Sequence, residues 1–87
     1  MKKLIDVFNR IDRTNFYRIR TYGTKASGRF EQRKMCLGLE KSYGEQSVYK
    51  VIETRDYKTY EYKVDVLLAR KDQDTTQETV YELIEIN

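Results

Sequence analysis

The chain has 87 residues, of which 39% are hydrophobic and 36% are charged, and its formal net charge is +3. A chain of this length buries roughly 60–65% of its unfolded surface, so we expect one hydrophobic core and a single domain over residues 1–87. The sequence has no histidine and one cysteine, which excludes histidine-dependent catalysis, an intrachain disulfide and a cysteine zinc site.

The first predicted element is an amphipathic helix over residues 2–12. Four apolar residues follow the i, i+3, i+4, i+7 spacing that places side chains on one face of a helix. These residues are Leu4, Val7, Phe8 and Ile11. Arg10 and Arg13, near the C-terminal end, suit the negative end of the helix dipole. We expect the apolar stripe to pack against a β-sheet.

The next element, Phe16 to Tyr22, is predicted to be a strand with one solvent-facing side. Aromatic and β-branched residues alternate with arginines in this segment, which is typical of a half-buried strand. Arg18 and Arg20 therefore share the solvent-facing side, and Ile19 points the other way.

Gly23 to Gly28 is predicted to be a turn or loop, because glycine and small polar residues interrupt the pattern. Two glycines after a strand are also found in phosphate-binding loops. Here, however, Arg29 and Phe30 replace the lysine and the hydroxyl residue that contact phosphate and magnesium in those loops. We interpret the segment as a plain loop.

Residues 29–42 fit either a strand or a helix. Alternate residues of Met35–Leu39 are apolar, as in a strand, but the same segment can also be drawn as helical turns. Gly38 disfavours a helix interior, so we favour the strand. Cys36, between apolar neighbours, is interpreted as a small buried hydrophobe.

Two strands, Val48–Thr54 and Thr59–Arg70, are predicted to form a hairpin through the short connection 55–58. The second strand alternates most clearly, with apolar residues on one face and charged residues on the other. The residues predicted to face the core are Tyr60, Tyr62, Val64, Val66 and Leu68. The opposite residues are Glu61, Lys63 and Asp65, and we interpret them as a solvated polar face.

The last segment, Thr76 to Ile86, is predicted to be a strand after a polar loop over residues 71–75, although Thr75 and Glu78 also fit a helix capping box. Together these elements predict an α+β fold. In this fold the N-terminal helix packs on an antiparallel meander sheet of about five strands.

Charge is distributed unevenly along the chain. Residues 10–34 carry a net charge of +6, whereas residues 71–87 carry −4. Such segregation can create a positive face that attracts phosphates or an acidic protein. It can equally reflect internal pairing, with the acidic last strand lying beside the basic first strand. The sequence leaves both interpretations open.

The candidate binding region is residues 13–34, where basic and aromatic side chains are interleaved. Aromatic rings stack on unpaired bases while basic side chains neutralise phosphates, which is how sheets commonly hold single-stranded nucleic acid. The candidate binding residues are Arg13, Arg18, Arg20, Tyr22, Lys25, Arg29, Arg33 and Lys34. We predict a non-enzymatic binding module for single-stranded DNA or RNA, with no catalytic residues, metal or cofactor.

The alternative is a protein-binding regulator or inhibitor, in the style of small accessory proteins of phages or mobile elements, for example of an enzyme that handles nucleic acid. The basic strand would then dock on an acidic protein surface, and a sheet edge or tyrosines would make the contact. A sheet edge could also pair two copies into a homodimer. The carboxylate pair Glu82 and Glu85 is interpreted as solvated and not catalytic.

No membrane segment is predicted. The longest apolar runs, such as Val66–Ala69, are far shorter than the about 20 apolar residues that span a bilayer. Asp6 and Arg10 interrupt the N-terminal segment before it could form a signal-peptide core. We therefore expect a cytoplasmic protein.

Overall fold

A computed structural model describes residues 1–11, 16–21, 28–70 and 76–87. A mixed four-stranded sheet is covered on one face by short helices. The elements are α1 (Leu4–Arg10), β1 (Phe16–Arg20), a 3₁₀ helix (Arg33–Cys36), α2 (Leu37–Tyr43), β2 (Val48–Asp56), β3 (Glu61–Leu68) and β4 (Val80–Ile86). The prediction of an α+β fold with an N-terminal helix on a sheet is confirmed.

The predicted antiparallel meander of about five strands is wrong in strand number and direction. The sheet order is β1-β3-β2-β4, and among these four strands of the described residues β2 and β3 are the one antiparallel pair. β1 runs parallel to β3, and β4 runs parallel to β2. Alternation of apolar and polar residues identifies a strand and its two faces, but it does not specify which neighbour the strand joins or in which direction.

The sequence-predicted helix stripe does form the seam between α1 and the sheet. Leu4, Val7 and Phe8 are fully buried, and Ile11 is 8% exposed. The Phe8 ring lies 4.9 Å from the ring of Tyr17 on β1, measured between centroids. The Tyr17 hydroxyl donates a hydrogen bond to the carbonyl of Ile11, which closes the end of the helix against the sheet.

The segment predicted as a strand within residues 29–42 is instead helical from Arg33 to Tyr43. The apolar alternation of Met35, Leu37 and Leu39 is misleading, because these three side chains are 64%, 54% and 40% exposed. Cys36 and Tyr43 are the residues that pack against the core. Their separation of seven residues places them on one side of a helix, which explains why the helix forms here.

The sheet has two unlike faces. The core face carries Val51, Val64 and Val66, packs against α1, and also receives Cys36 and Tyr43. The other face, here called the open face, has no helix of the described segments packed on it. Three rows of neighbouring residues cross this open face. The rows are Phe16, Lys63, Thr54 and Ile84; Arg18, Asp65, Ile52 and Glu82; and Arg20, Leu67, Lys50 and Val80.

Candidate functional site

Three of the eight predicted binding residues, Arg13, Tyr22 and Lys25, lie outside the described residues. The other five do not form a single surface. Two of them lie in β1 on the open face, one follows Gly28, and two lie in the 3₁₀ helix, which packs on the core face. These five residues are Arg18 and Arg20, Arg29, and Arg33 and Lys34.

The two arginines of β1 hold one carboxylate of β3 between them, an arrangement here called the Asp65 clamp (Arg18, Arg20 and Asp65). Arg18 Nη2 lies 2.7 Å from Asp65 Oδ2, and its Nε donates to Oδ1 at 3.2 Å. Arg20 Nε donates to the same Oδ1 at 3.0 Å, and its Nη2 lies 3.0 Å from Oδ2. Both arginines therefore bind Asp65 through two nitrogens, which is the strongest geometry for this pair.

The clamp is largely shielded from solvent. The Asp65 side chain is 9% exposed, and each arginine side chain is 20% exposed. The hydrogen bonds to Asp65 raise the pKa of Arg18 above its usual value, against the opposing effect of partial burial. We expected both arginines to face solvent, and the structure instead shows them engaged in holding the sheet together.

The interpretation of Asp65 as part of a solvated polar face is wrong, whereas Glu61 is indeed exposed. The sequence carries one signal that could have revealed this difference. Asp65 lies within the apolar run Val64 to Leu68, where a carboxylate requires a partner. The partner could not be named, because the parallel β1–β3 pairing was not predicted.

A segment that begins at Gly28 lies along the outer side of β1. Glu31 exchanges two backbone hydrogen bonds with Tyr17, with N···O distances of 2.7 and 2.9 Å. The neighbouring Phe30 ring has Arg18 Cζ at 4.5 Å and Lys63 Nζ at 5.5 Å from its centroid, which are cation–π contacts. Residues 16–21 and 28–34 together are called the β1 edge below.

The β1 edge has a positive net charge. It contains five basic residues against Glu31, which gives +4. Arg33 is held on the helix side, with its Cζ 5.3 Å from the Phe8 ring centroid and its Nε 3.2 Å from Glu40 Oε1. Arg29 and Lys34 are exposed, so they are the two basic residues of this edge most accessible to a ligand.

The opposite end of the sheet is acidic. Residues 76–87, called the β4 edge, contain three glutamates and no lysine or arginine, a net charge of −3. Because β3 and β2 lie between β1 and β4, the two edge strands are separated by three strand spacings, about 14 Å. The interpretation that the acidic last strand lies beside the basic first strand is therefore wrong.

Cys36 behaves as predicted for a small buried hydrophobe. Its side chain is part of the core, and the residue is 3% exposed. Burial raises the pKa of the Cys36 thiol, and the carboxylates of Glu31 and Glu40 act in the same direction. Across the described ranges, no group of three or more histidine, cysteine or carboxylate side chains is placed to hold a metal ion.

Comparison with known proteins returned no match: no family profile, curated protein or solved structure is similar to this chain. Within the part of the chain that the structure describes, no helix has the length and apolar character needed to cross a membrane.

Proposed function

We propose that the protein is a non-catalytic binding module whose β1 edge contacts single-stranded nucleic acid. One observation carries the proposal, namely the strand order β1-β3-β2-β4. This order keeps the basic β1 edge away from the acidic β4 edge, so the glutamates of β4 do not neutralise the arginines and lysine of β1. A charge asymmetry of this kind attracts phosphate-rich ligands to one side of a molecule.

Arg29 and Lys34 are the residues proposed to contact phosphates directly, because both are exposed on the β1 edge. Arg18 and Arg20 have a different role in this proposal. Their guanidinium groups are held by Asp65, so the two arginines and this carboxylate together carry a net charge of +1. These ion pairs also hold β1 against β3. Direct contacts through them would require breaking the clamp.

The open face beside this edge offers aromatic and basic side chains next to each other. Phe16 is half-buried in the row that also contains Lys63, and Phe30 is half-buried under Arg18 and Lys63. Partly exposed rings beside cations are the pattern on which unpaired bases stack. Single strands fit this surface better than duplexes, because their bases are free to reach a sheet face.

The proposal is tested by fluorescence anisotropy with labelled single-stranded DNA and RNA oligonucleotides at low salt. The double substitution Arg29→Ala with Lys34→Ala should weaken binding by about tenfold or more, since two phosphate contacts are removed. The matched control is Arg55→Ala with Lys58→Ala. These substitutions remove the same charge from exposed residues outside the β1 edge, at and just after the C-terminal end of β2. The control should change the affinity by less than about twofold.

Equal weakening by the two double variants would mean that only net charge matters and that the β1 edge is not a site. If the parent chain binds neither oligonucleotide at low salt, the nucleic-acid proposal fails. The β1 edge would then be tested against acidic protein surfaces, as expected for a protein-binding regulator or inhibitor.

A further inference from the structure

The most exposed apolar residues of the sheet lie on its last strand. Five of the seven residues of β4 are apolar or aromatic and are between 38% and 48% exposed. These residues are Val80, Tyr81, Leu83, Ile84 and Ile86. β4 pairs with β2 on one side, and no other strand of the described segments pairs with it on the other side. A long apolar edge strand of this kind is a template for pairing with another chain.

The two outer edges of the sheet differ in this respect. On the β1 side, Glu31 already pairs with Tyr17, so that edge is partly covered. On the β4 side, one hydrogen bond shows which residues of β4 point their N–H and C=O groups toward β2. The carbonyl of Ile86 accepts from Tyr57 N at 2.9 Å, on the side of β2. The N–H and C=O groups of successive residues point to alternate sides of a strand. Those of Tyr81, Leu83 and Glu85 therefore point away from β2, toward the outer side of β4.

We infer that a second copy of this chain occupies the outer side of β4, through antiparallel β4–β4 pairing centred on Leu83. This register pairs the whole of Val80–Ile86 with itself, because Val80 faces Ile86 of the second copy. It also joins outward-directed residues to outward-directed residues, as an antiparallel ladder requires. Two four-stranded sheets then become one continuous sheet of eight strands.

Charge complementarity supports a second copy as the occupant. In this register, Glu85 of one copy lies directly opposite Tyr81 of the other, on the core face. The Tyr81 ring has Arg10 Cζ at 4.9 Å and Lys2 Nζ at 5.9 Å from its centroid. The carboxylate of Glu85, which accepts a hydrogen bond from the Tyr57 hydroxyl at 2.8 Å within its own chain, would therefore also lie beside a site that already contains two cations, and the twofold symmetry creates this contact twice.

The neighbouring registers are less favourable. Centring on Glu82 places the Glu82 side chains of the two copies directly opposite each other, and like charges in that position are destabilising. Centring on Ile84 moves Glu85 away from Tyr81 and opposite Leu83. Only the Leu83 register brings Glu85 to the cations beside Tyr81 while keeping every glutamate of β4 opposite an uncharged residue.

The inference is tested by sedimentation equilibrium of the parent chain over a range of concentrations. We expect a reversible dimer with a Kd of about 10 µM, since the interface is small and formed by one strand per copy. Leu83→Lys places two lysines against each other at the symmetry axis and should raise the Kd by about tenfold or more. Ile84→Lys places a lysine opposite Glu82 instead and should leave the dimer intact.

A charge exchange identifies the predicted contact. Arg10→Glu and Glu85→Arg should each weaken the dimer, and the chain carrying both substitutions should recover most of the lost affinity. Circular dichroism of each variant separates loss of association from loss of folding. A parent chain that is monomeric at about 1 mM overturns the inference, as does dissociation by Ile84→Lys with no effect of Leu83→Lys. The dimer leaves the β1 edge of each copy exposed. A result that overturns the dimer therefore does not affect the proposed function.

Discussion

Arg18 on β1 binds Asp65 on β3 through two nitrogens, and these residues are direct partners in the parallel β1–β3 ladder. The pair therefore links a strand from the first quarter of the chain to β3, the second strand of the β2–β3 hairpin. Such a contact contributes to stability only when the strands are correctly aligned, because a shift by one residue would move the carboxylate to the other face. The clamp thus favours this register.

Asp65→Asn should destabilise the fold by about 2–3 kcal/mol, because it leaves two partly buried guanidinium groups without their carboxylate. Urea unfolding followed by circular dichroism measures the change. The matched control is Glu61→Gln on the same strand and face. Its ion pair with Lys63 is exposed and 3.5 Å long, so we expect a change below about 0.5 kcal/mol. Equal effects of the two substitutions would show that Asp65 is not a clamp.

Charge reversal of both arginines is expected to unfold the sheet edge and not only to abolish binding. Arg18→Glu with Arg20→Glu would place three carboxylates together in a site where Asp65 is 7% exposed. For this reason these two positions are poor probes of ligand contact, and the exposed Arg29 and Lys34 are better ones.

Gly38, inside α2, and Gly44, at the C-terminal cap of α2, should respond in opposite ways to alanine. Gly38 has no atom within 4 Å of an added Cβ, so Gly38→Ala should stabilise the protein by roughly 0.5–1 kcal/mol through helix propensity. At Gly44 the added Cβ would lie 2.6 Å from the carbonyl oxygen of Glu40. The required shift also disturbs the Gly44 carbonyl that accepts from Ile5 N, so Gly44→Ala should cost about 1–2 kcal/mol. Thermal melts of the two variants compare these effects directly.

Cys36 should resist alkylation while the protein is folded. Burial raises the pKa of its thiol, so near pH 8 the reactive thiolate is rarer in the folded chain than in the unfolded chain, and the core also blocks access. Iodoacetamide labelling followed by mass spectrometry should show slow modification in buffer and rapid modification in urea. Rapid labelling of the folded chain would contradict the packing of the 3₁₀ helix against the core.

The local elements could largely be predicted from the sequence, since they depend on periodicity. The α1 stripe and the alternation of Val64, Val66 and Leu68 correctly identified core residues, but the prediction that Tyr60 faces the core is wrong, because Tyr60 precedes β3 and is 72% exposed. The partners of β1 and β4 could not be predicted, because parallel pairing depends on contacts between distant segments. The role of Asp65 followed from that pairing and was missed for the same reason. Met35–Leu39 was misassigned because its apolar residues are exposed on a helix and not buried on a strand.

The central claim, that the β1 edge is a nucleic-acid contact, is tested most directly by the salt dependence of single-strand binding. Each phosphate neutralised on a single strand contributes about −0.7 to the slope of log K against log salt. With about two to four contacts, we predict a slope between about −1.4 and −3 for the parent chain, reduced in magnitude by about 1.4 in the Arg29→Ala, Lys34→Ala variant. No binding at about 10 mM salt, or a slope that the double variant leaves unchanged, would contradict the claim.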